Sequence, residues 1–209
     1  MSDAKTPDSA GSSESLSRRG LVKGAAATAG IATVAGFWFE GFGTPARRRE
    51  IEPTRPGDPL RFFTPAMFAT LSAVVDRLLP SGGPDSPGAR DANVAAYFDA
   101  LLATNEMPQT VKDRVRNGLA NCDSRAQQRF RARSFSQLSS PRRDAIIKGF
   151  ERTRDGVYWL RNMIEITLEC FFGDPVHGGN PAEIGWRWID HRPGTPRPTM
   201  ANWRPKERS

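Results

Sequence analysis

Catalytic side chains are scarce in this sequence. Its 209 residues include two histidines, His177 and His191, and two cysteines, Cys122 and Cys170. A zinc site needs about four nitrogen, sulfur or oxygen ligands at short spacing, and no CxxC or HxxxH pair occurs. There is no CxxCH for covalent haem and no GxGxxG after a strand to carry a dinucleotide. Nor is there a GxSxG elbow to present a nucleophilic serine. His177, inside a glycine-rich turn, is the one residue placed like a catalytic group, and a hydrogen-bonded loop histidine accounts for it more simply. The chain is therefore read as non-catalytic, with no cofactor or metal of its own. Long apolar runs are also missing. The longest, Gly24 to Phe39, is sixteen residues rich in Ala, Gly and Thr, short of the roughly twenty needed to span a bilayer.

What is present is glycine (19), proline (17) and positive charge (+7), with a hydrophobic content of 38%. One modest core is expected, built from compact helices joined by structured loops, because no segment alternates like a strand. The fold class is all-α, a bundle of about five helices.

The chain divides into residues 1–46, a linker at 47–61, a helical domain at 62–189 and an extended tail at 190–209. Ser17-Arg18-Arg19-Gly20-Leu21-Val22-Lys23 precedes the short apolar run, which is the order of an export signal. It resembles the twin-arginine motif, with Leu21 where phenylalanine is commoner. The short run favours a signal over a retained anchor, and two cleavage regions compete, Val34-Ala35-Gly36 and Thr44-Pro45-Ala46. Residues 1–46 balance four cations against four acids, so the whole excess charge lies in residues 47–209. In an exported protein that basicity points to an acidic protein surface or anionic lipid headgroups rather than nucleic acid. The tail, proline-rich with Trp203 and scattered cations, suits the surface of another protein or a frayed end equally well.

Helix signals follow in order. Thr64-Pro65 pairs an N-cap with proline at the first helical position, and Phe68, Leu71, Val74, Val75, Leu78 and Leu79 mark one face before Pro80. Ser81 to Arg90 is too rich in breakers to be helical. Asp91 is placed to cap a second helix with Val94, Tyr97, Phe98, Leu101 and Leu102 on its apolar face. Asp76, Asp85 and Asp99 fit no metal loop and read as solvated. A third helix over 108–130 carries Val111, Val115, Leu119 and Cys122 in one stripe. It ends in a basic patch, RAQQRFRAR (Arg125 to Arg133), that reads first as a solvated face and second as a contact with an acidic partner. After a turn at Phe135–Leu138, Ser140-Pro141 starts a fourth helix bearing Ile146, Ile147 and Phe150. The fifth, Tyr158 to Phe172, is apolar nearly all round, which predicts burial in a core or against another subunit. A Cys122–Cys170 disulfide, a bridge from Cys170 to another chain, and two buried free thiols are all open.

The chain then runs through Phe171-Phe172-Gly173-Asp174-Pro175-Val176-His177-Gly178-Gly179-Asn180, with Gly185-Trp186 and Trp188 beyond. Gly173 and Pro175 stop the helix, and the glycines and Asn180 suit a second turn. These residues resemble the C-terminal loop of the gluconate 2-dehydrogenase subunit 3 family. Phe63-Thr64-Pro65 through Pro80 and Pro87-Gly88-Ala89 resemble its first helix and the loop after it. The resemblance implies a small, non-catalytic subunit of a periplasmic FAD-dependent dehydrogenase acting on sugars, sugar acids or alcohols. It implies a flavoprotein large subunit of the glucose–methanol–choline type holding the FAD, and in many complexes a multihaem cytochrome c with haem c. It further implies peripheral association with the cytoplasmic membrane. The twin-arginine translocase moves folded proteins, so the chain is expected to help the flavoprotein mature and to escort it to the periplasm. The expected partner interface is Phe171, Phe172, Gly173, Asp174, Pro175, Gly178, Gly179, Asn180, Trp186 and Trp188, with the aromatics as anchors. Two other classes stay open. A stand-alone periplasmic binding protein for an anionic ligand predicts a pocket lined by arginine, and an enzyme using His177 predicts turnover by the chain alone.

Overall fold

The computed structural model describes residues 57–83, 85–175 and 178–193. The export segment, most of the linker, the tail beyond Pro193 and His177 lie outside the described residues. Six α-helices and two 3-10 turns are described, with no strand among these residues. They are α1 (Pro65–Leu78), α2 (Val94–Ala103), α3 (Gln109–Phe130), a 3-10 turn at Phe135–Gln137, α4 (Ser140–Phe150), α5 (Arg154–Phe172), a second 3-10 turn at Pro181–Glu183 and α6 (Ile184–Trp188). The all-α expectation holds.

α1 starts where its cap predicts. The Thr64 hydroxyl accepts from the Met67 amide at 3.3 Å, and Pro65 takes a position that needs no donor. Its inner face, Leu71, Val74 and Val75, is fully or almost fully buried. α1 and α5 form the axis of the domain, and between them they touch every other helix. The α3 stripe is also as expected, with Val111, Val115, Leu119 and Cys122 all buried, together with Gly118, over which the Trp159 indole of α5 lies.

Polar ties fix how the helices sit on one another. One oxygen of Asp123 on α3 accepts from the Thr70 hydroxyl of α1 at 2.9 Å and from the Phe135 amide at 2.8 Å. Arg77 of α1 grips Asp144 of α4 through two bonds of 2.7 and 2.9 Å. Such a forked pair fixes orientation as well as distance.

The acidic residues depart from expectation. Asp99 is not solvated. It is 2% exposed and accepts from three successive backbone amides, Arg61, Phe62 and Phe63, at 2.6, 3.1 and 2.8 Å. A buried carboxylate is tolerable when donors satisfy it, and here they belong to the bend that leads into α1. Asp76 is partly shielded and 3.4 Å from Arg90, whereas Asp85 is exposed as expected. Asp91 does not cap α2. Its carboxylate accepts from the Gly88 amide at 2.8 Å, and the helix starts later, at Val94, after Asn93 in the left-handed region with φ 53°. The turn competes with the helix for the aspartate and takes it.

α5 is also not enclosed on all sides. Trp159, Leu160, Met163, Ile166, Cys170 and Phe171 are buried, but Val157, Tyr158 and Ile164 are 49%, 46% and 44% exposed. These are the exposed large hydrophobics of the described residues.

Candidate functional site: the loop that closes α5

A helix ends with carbonyls that lack intrahelical partners, and α5 ends at the half-buried Phe172 and Gly173. Its last turn is satisfied by side chains from the chain that follows. The Trp186 indole donates to the Phe172 carbonyl at 2.6 Å, and the Asn180 amide nitrogen donates to the Gly173 carbonyl at 3.0 Å. Gly173 serves closeness rather than positive φ. Its φ is −60°, and a Cβ there would stand 2.7 Å from the Glu169 carbonyl oxygen.

Asn180 is the keystone. It is fully buried, adopts φ 50°, and uses both ends of its amide, since its oxygen also accepts from the Gly185 amide at 2.7 Å. Asparagine is among the few residues with a side chain that visit the left-handed region readily. Ala182 and Glu183 are held there as well, at φ 52° and 59°. Glycine is required on either side for close approach. A Cβ on Gly179 would press on the Tyr97 ring at 2.9 Å, and one on Gly185 would overlap the Phe171 carbonyl.

The aromatic residues expected to anchor a partner point largely inward. Phe171 is fully buried, Trp186 is 6% exposed and Trp188 7%. Trp188 packs edge-on to Phe171 with 6.0 Å between centroids. Its indole also donates to the Asp85 carbonyl at 3.1 Å, joining two loops 103 residues apart. Gly179 is buried with them, while Phe172, Gly173, Asp174, Pro175 and Gly178 are half-buried and form the outer edge. So half of the sequence-predicted interface is the internal frame of the loop, and the other half is what the loop presents.

The sequence profile of the gluconate 2-dehydrogenase subunit 3 family matches residues 65–194. The chain belongs to that family. No curated protein and no solved structure matches it. The match begins at the first residue of α1 and takes in all six helices and the closing loop. Membership gives this subunit a role within a multisubunit gluconate dehydrogenase.

Other chemistry-bearing groups of the subunit are accounted for structurally. Cys122 and Cys170 are both free and fully buried, so the intramolecular bridge between them is not made in this conformation. Burial pushes both thiols well above their ordinary range, reinforced by Asp123 beside Cys122 and Glu169 beside Cys170; protonated thiols are poor nucleophiles. No cluster of three or more His, Cys, Asp or Glu residues suited to a metal occurs among the described residues. None of the described helices is long and apolar enough to cross a membrane. A cavity of about 350 Å³ opens between α1, the turn into α2 and α4, lined by Phe68, Val75 and Val94 among others. Arg90 reaches it but leans on Asp76. Arg143 donates to the Ser136 carbonyl, and its Nε is shut away from water without a partner.

Proposed function

We propose that this subunit is the non-catalytic partner of a periplasmic FAD-dependent dehydrogenase. It binds the flavoprotein large subunit, aids its maturation and carries it through the twin-arginine translocase. The flavin and the oxidation of the sugar, sugar acid or alcohol belong to the large subunit. Electrons pass on to a cytochrome c subunit or a quinone, and the assembled complex rests peripherally on the cytoplasmic membrane. The observation that carries this reading is the family match across the whole helical domain. The Ser17-Arg18-Arg19 motif ahead of a short apolar run supplies the route.

The geometry supports a specific division of labour in the closing loop. Asn180, Trp186 and Trp188 hold its shape from within, and the outer edge at Phe172–Pro175 meets the partner. Val157, Tyr158 and Ile164 on the open side of α5 extend that surface, since exposed apolar side chains grouped on one element mark contact sites. A rigid loop loses little entropy on docking.

Co-expression of the tagged chain with and without the large subunit tests the reading. Flavin absorbance and dye-linked dehydrogenase activity are expected to co-purify with the tag. Replacing Arg18 and Arg19 by lysine is expected to leave the flavoprotein in the cytoplasm. Export of an active flavoprotein without this chain would overturn the escort role.

A further inference from the structure

The basic patch that closes α3 has no role in the reading above, and the fold enlarges it. From Ser124 to Phe150 the only carboxylate is Asp144, which Arg77 already holds in a forked pair. Arg129, Arg131, Arg133, Arg142 and Lys148 are exposed, and Arg125 is partly so. The fold brings those of α3 and α4 together across the helix seam. Arg129 donates to the Ala145 carbonyl of α4 at 3.2 Å. The guanidinium carbons of Arg129 and Arg142 lie 5.2 and 5.3 Å from the centroid of one ring, Phe130. Arg125 stacks on Phe150 of α4 at 4.2 Å and bonds to the Asn121 side chain at 3.0 Å. α4 also begins here, and its N-cap Ser139 makes no side-chain hydrogen bond, so the positive end of the helix adds to the field.

We propose that this arginine ridge is a second docking surface, distinct from the closing loop, for an acidic face of the flavoprotein large subunit. The inference rests on the partner reading above. Three features favour a protein over a lipid surface. Five of the six cations are arginines, whose planar fork matches fixed carboxylates. Three of these guanidinium groups are held by aromatic rings, so little rotamer freedom is lost on binding. And the exposed large hydrophobics among the described residues, which a bilayer would take up, are all on α5 and not on the ridge.

The test uses the full chain and the purified large subunit, with binding followed by surface-immobilised kinetics at low and high salt. Arg129→Glu with Arg142→Glu is compared with Arg129→Lys with Arg142→Lys. A melting curve of each variant establishes that it is folded. The charge-reversed pair is expected to weaken binding by about tenfold or more at low salt, chiefly through a slower association rate, and the gap is expected to narrow at high salt. The lysine pair is expected to fall between it and the native chain. Native chain that binds while the charge-reversed pair binds within about twofold, with an unchanged salt dependence, overturns the ridge alone. Native chain that does not bind the flavoprotein overturns the partner reading and the ridge with it. A parallel arm uses vesicles of phosphatidylcholine with and without phosphatidylglycerol. If charge reversal abolishes binding to the anionic vesicles and leaves flavoprotein binding unchanged, the ridge faces lipid and the proposal is wrong.

Discussion

Asn180 offers the sharpest test of how the closing loop is built. Its amide joins two backbone groups, the half-buried Gly173 carbonyl at 3.0 Å and the buried Gly185 amide at 2.7 Å. Asn180→Ala orphans both. An unsatisfied buried polar group costs about 1–3 kcal/mol, and alanine at φ 50° adds about 1 kcal/mol of backbone strain. A loss of about 3–5 kcal/mol is expected, a large share of the roughly 5–15 kcal/mol that keeps a domain folded. Asn180→Asp changes a single group. It keeps the oxygen that accepts from Gly185 but sets a second oxygen against the Gly173 carbonyl. Only the neutral carboxyl can donate there, so folding raises its pKa above the unfolded value of about 3.9. Stability contributed by that proton is complete below the unfolded pKa and is lost as pH rises through the folded one.

The Asp variant should therefore approach the native protein in acid and fall behind it towards neutral pH, while the Ala variant stays weak throughout. Urea unfolding followed by tryptophan fluorescence across a pH series measures this directly, because Trp186 caps the same helix end. A loss below about 1 kcal/mol in the Ala variant, or an Asp variant whose pH profile parallels the native one, would refute the keystone argument.

Buried groups carry three further predictions. Asp99→Ala strips three backbone amides of their acceptor. It is expected to cost about 3–5 kcal/mol in urea denaturation, with Asp99→Asn costing about half as much because one oxygen remains; equal stability of all three proteins would contradict the bonding described. Cys122 and Cys170 should resist a thiol reagent in the native state and both react after unfolding without added reductant. Rapid native labelling would refute their burial, and reductant dependence would reveal a disulfide. Burial raises both thiols above their ordinary 9.0, so the unfolded chain ionises first. Stability is then full below pH 9.0 and declines above it, by up to about 1.4 kcal/mol per pH unit per thiol, and Cys→Ala at either position should flatten the decline.

Local signals hold where the physics is local. Thr64-Pro65 and Ser140-Pro141 start helices because a cap and a missing donor act within one turn. The α3 stripe is buried because its spacing leaves no other face to bury. Asp91 and Asp99 misled because their partners are chosen by geometry, one by a turn three residues back and the other by a segment 36 to 38 residues away. A signal for Asp99 was available. It stands between Phe98 and Ala100-Leu101-Leu102, in a helix whose later half offers no polar face. α5 departs in the opposite sense: its apolar side chains do not close the circumference, since Arg161 and Glu165 pair on it at 2.8 Å, and the side the other helices leave uncovered carries Val157, Tyr158 and Ile164.

The helical class, three of the six helix starts and the family are legible in the residues alone, because periodicity, capping and turn chemistry act over a few residues. Which face of the closing loop looks outward depends on how the helices pack. Phe171, Asn180, Trp186 and Trp188 read equally well as anchors for a partner or as internal struts, since either role asks for large or amide side chains in a rigid turn. They are struts because Asn180 and Trp186 turn back to the carbonyls that end α5, while Phe171 and Trp188 pack against each other and Trp188 ties the loop to the Asp85 carbonyl. The arginine ridge is likewise a tertiary product, since residues separated along the chain become one surface only when α4 folds back against α3.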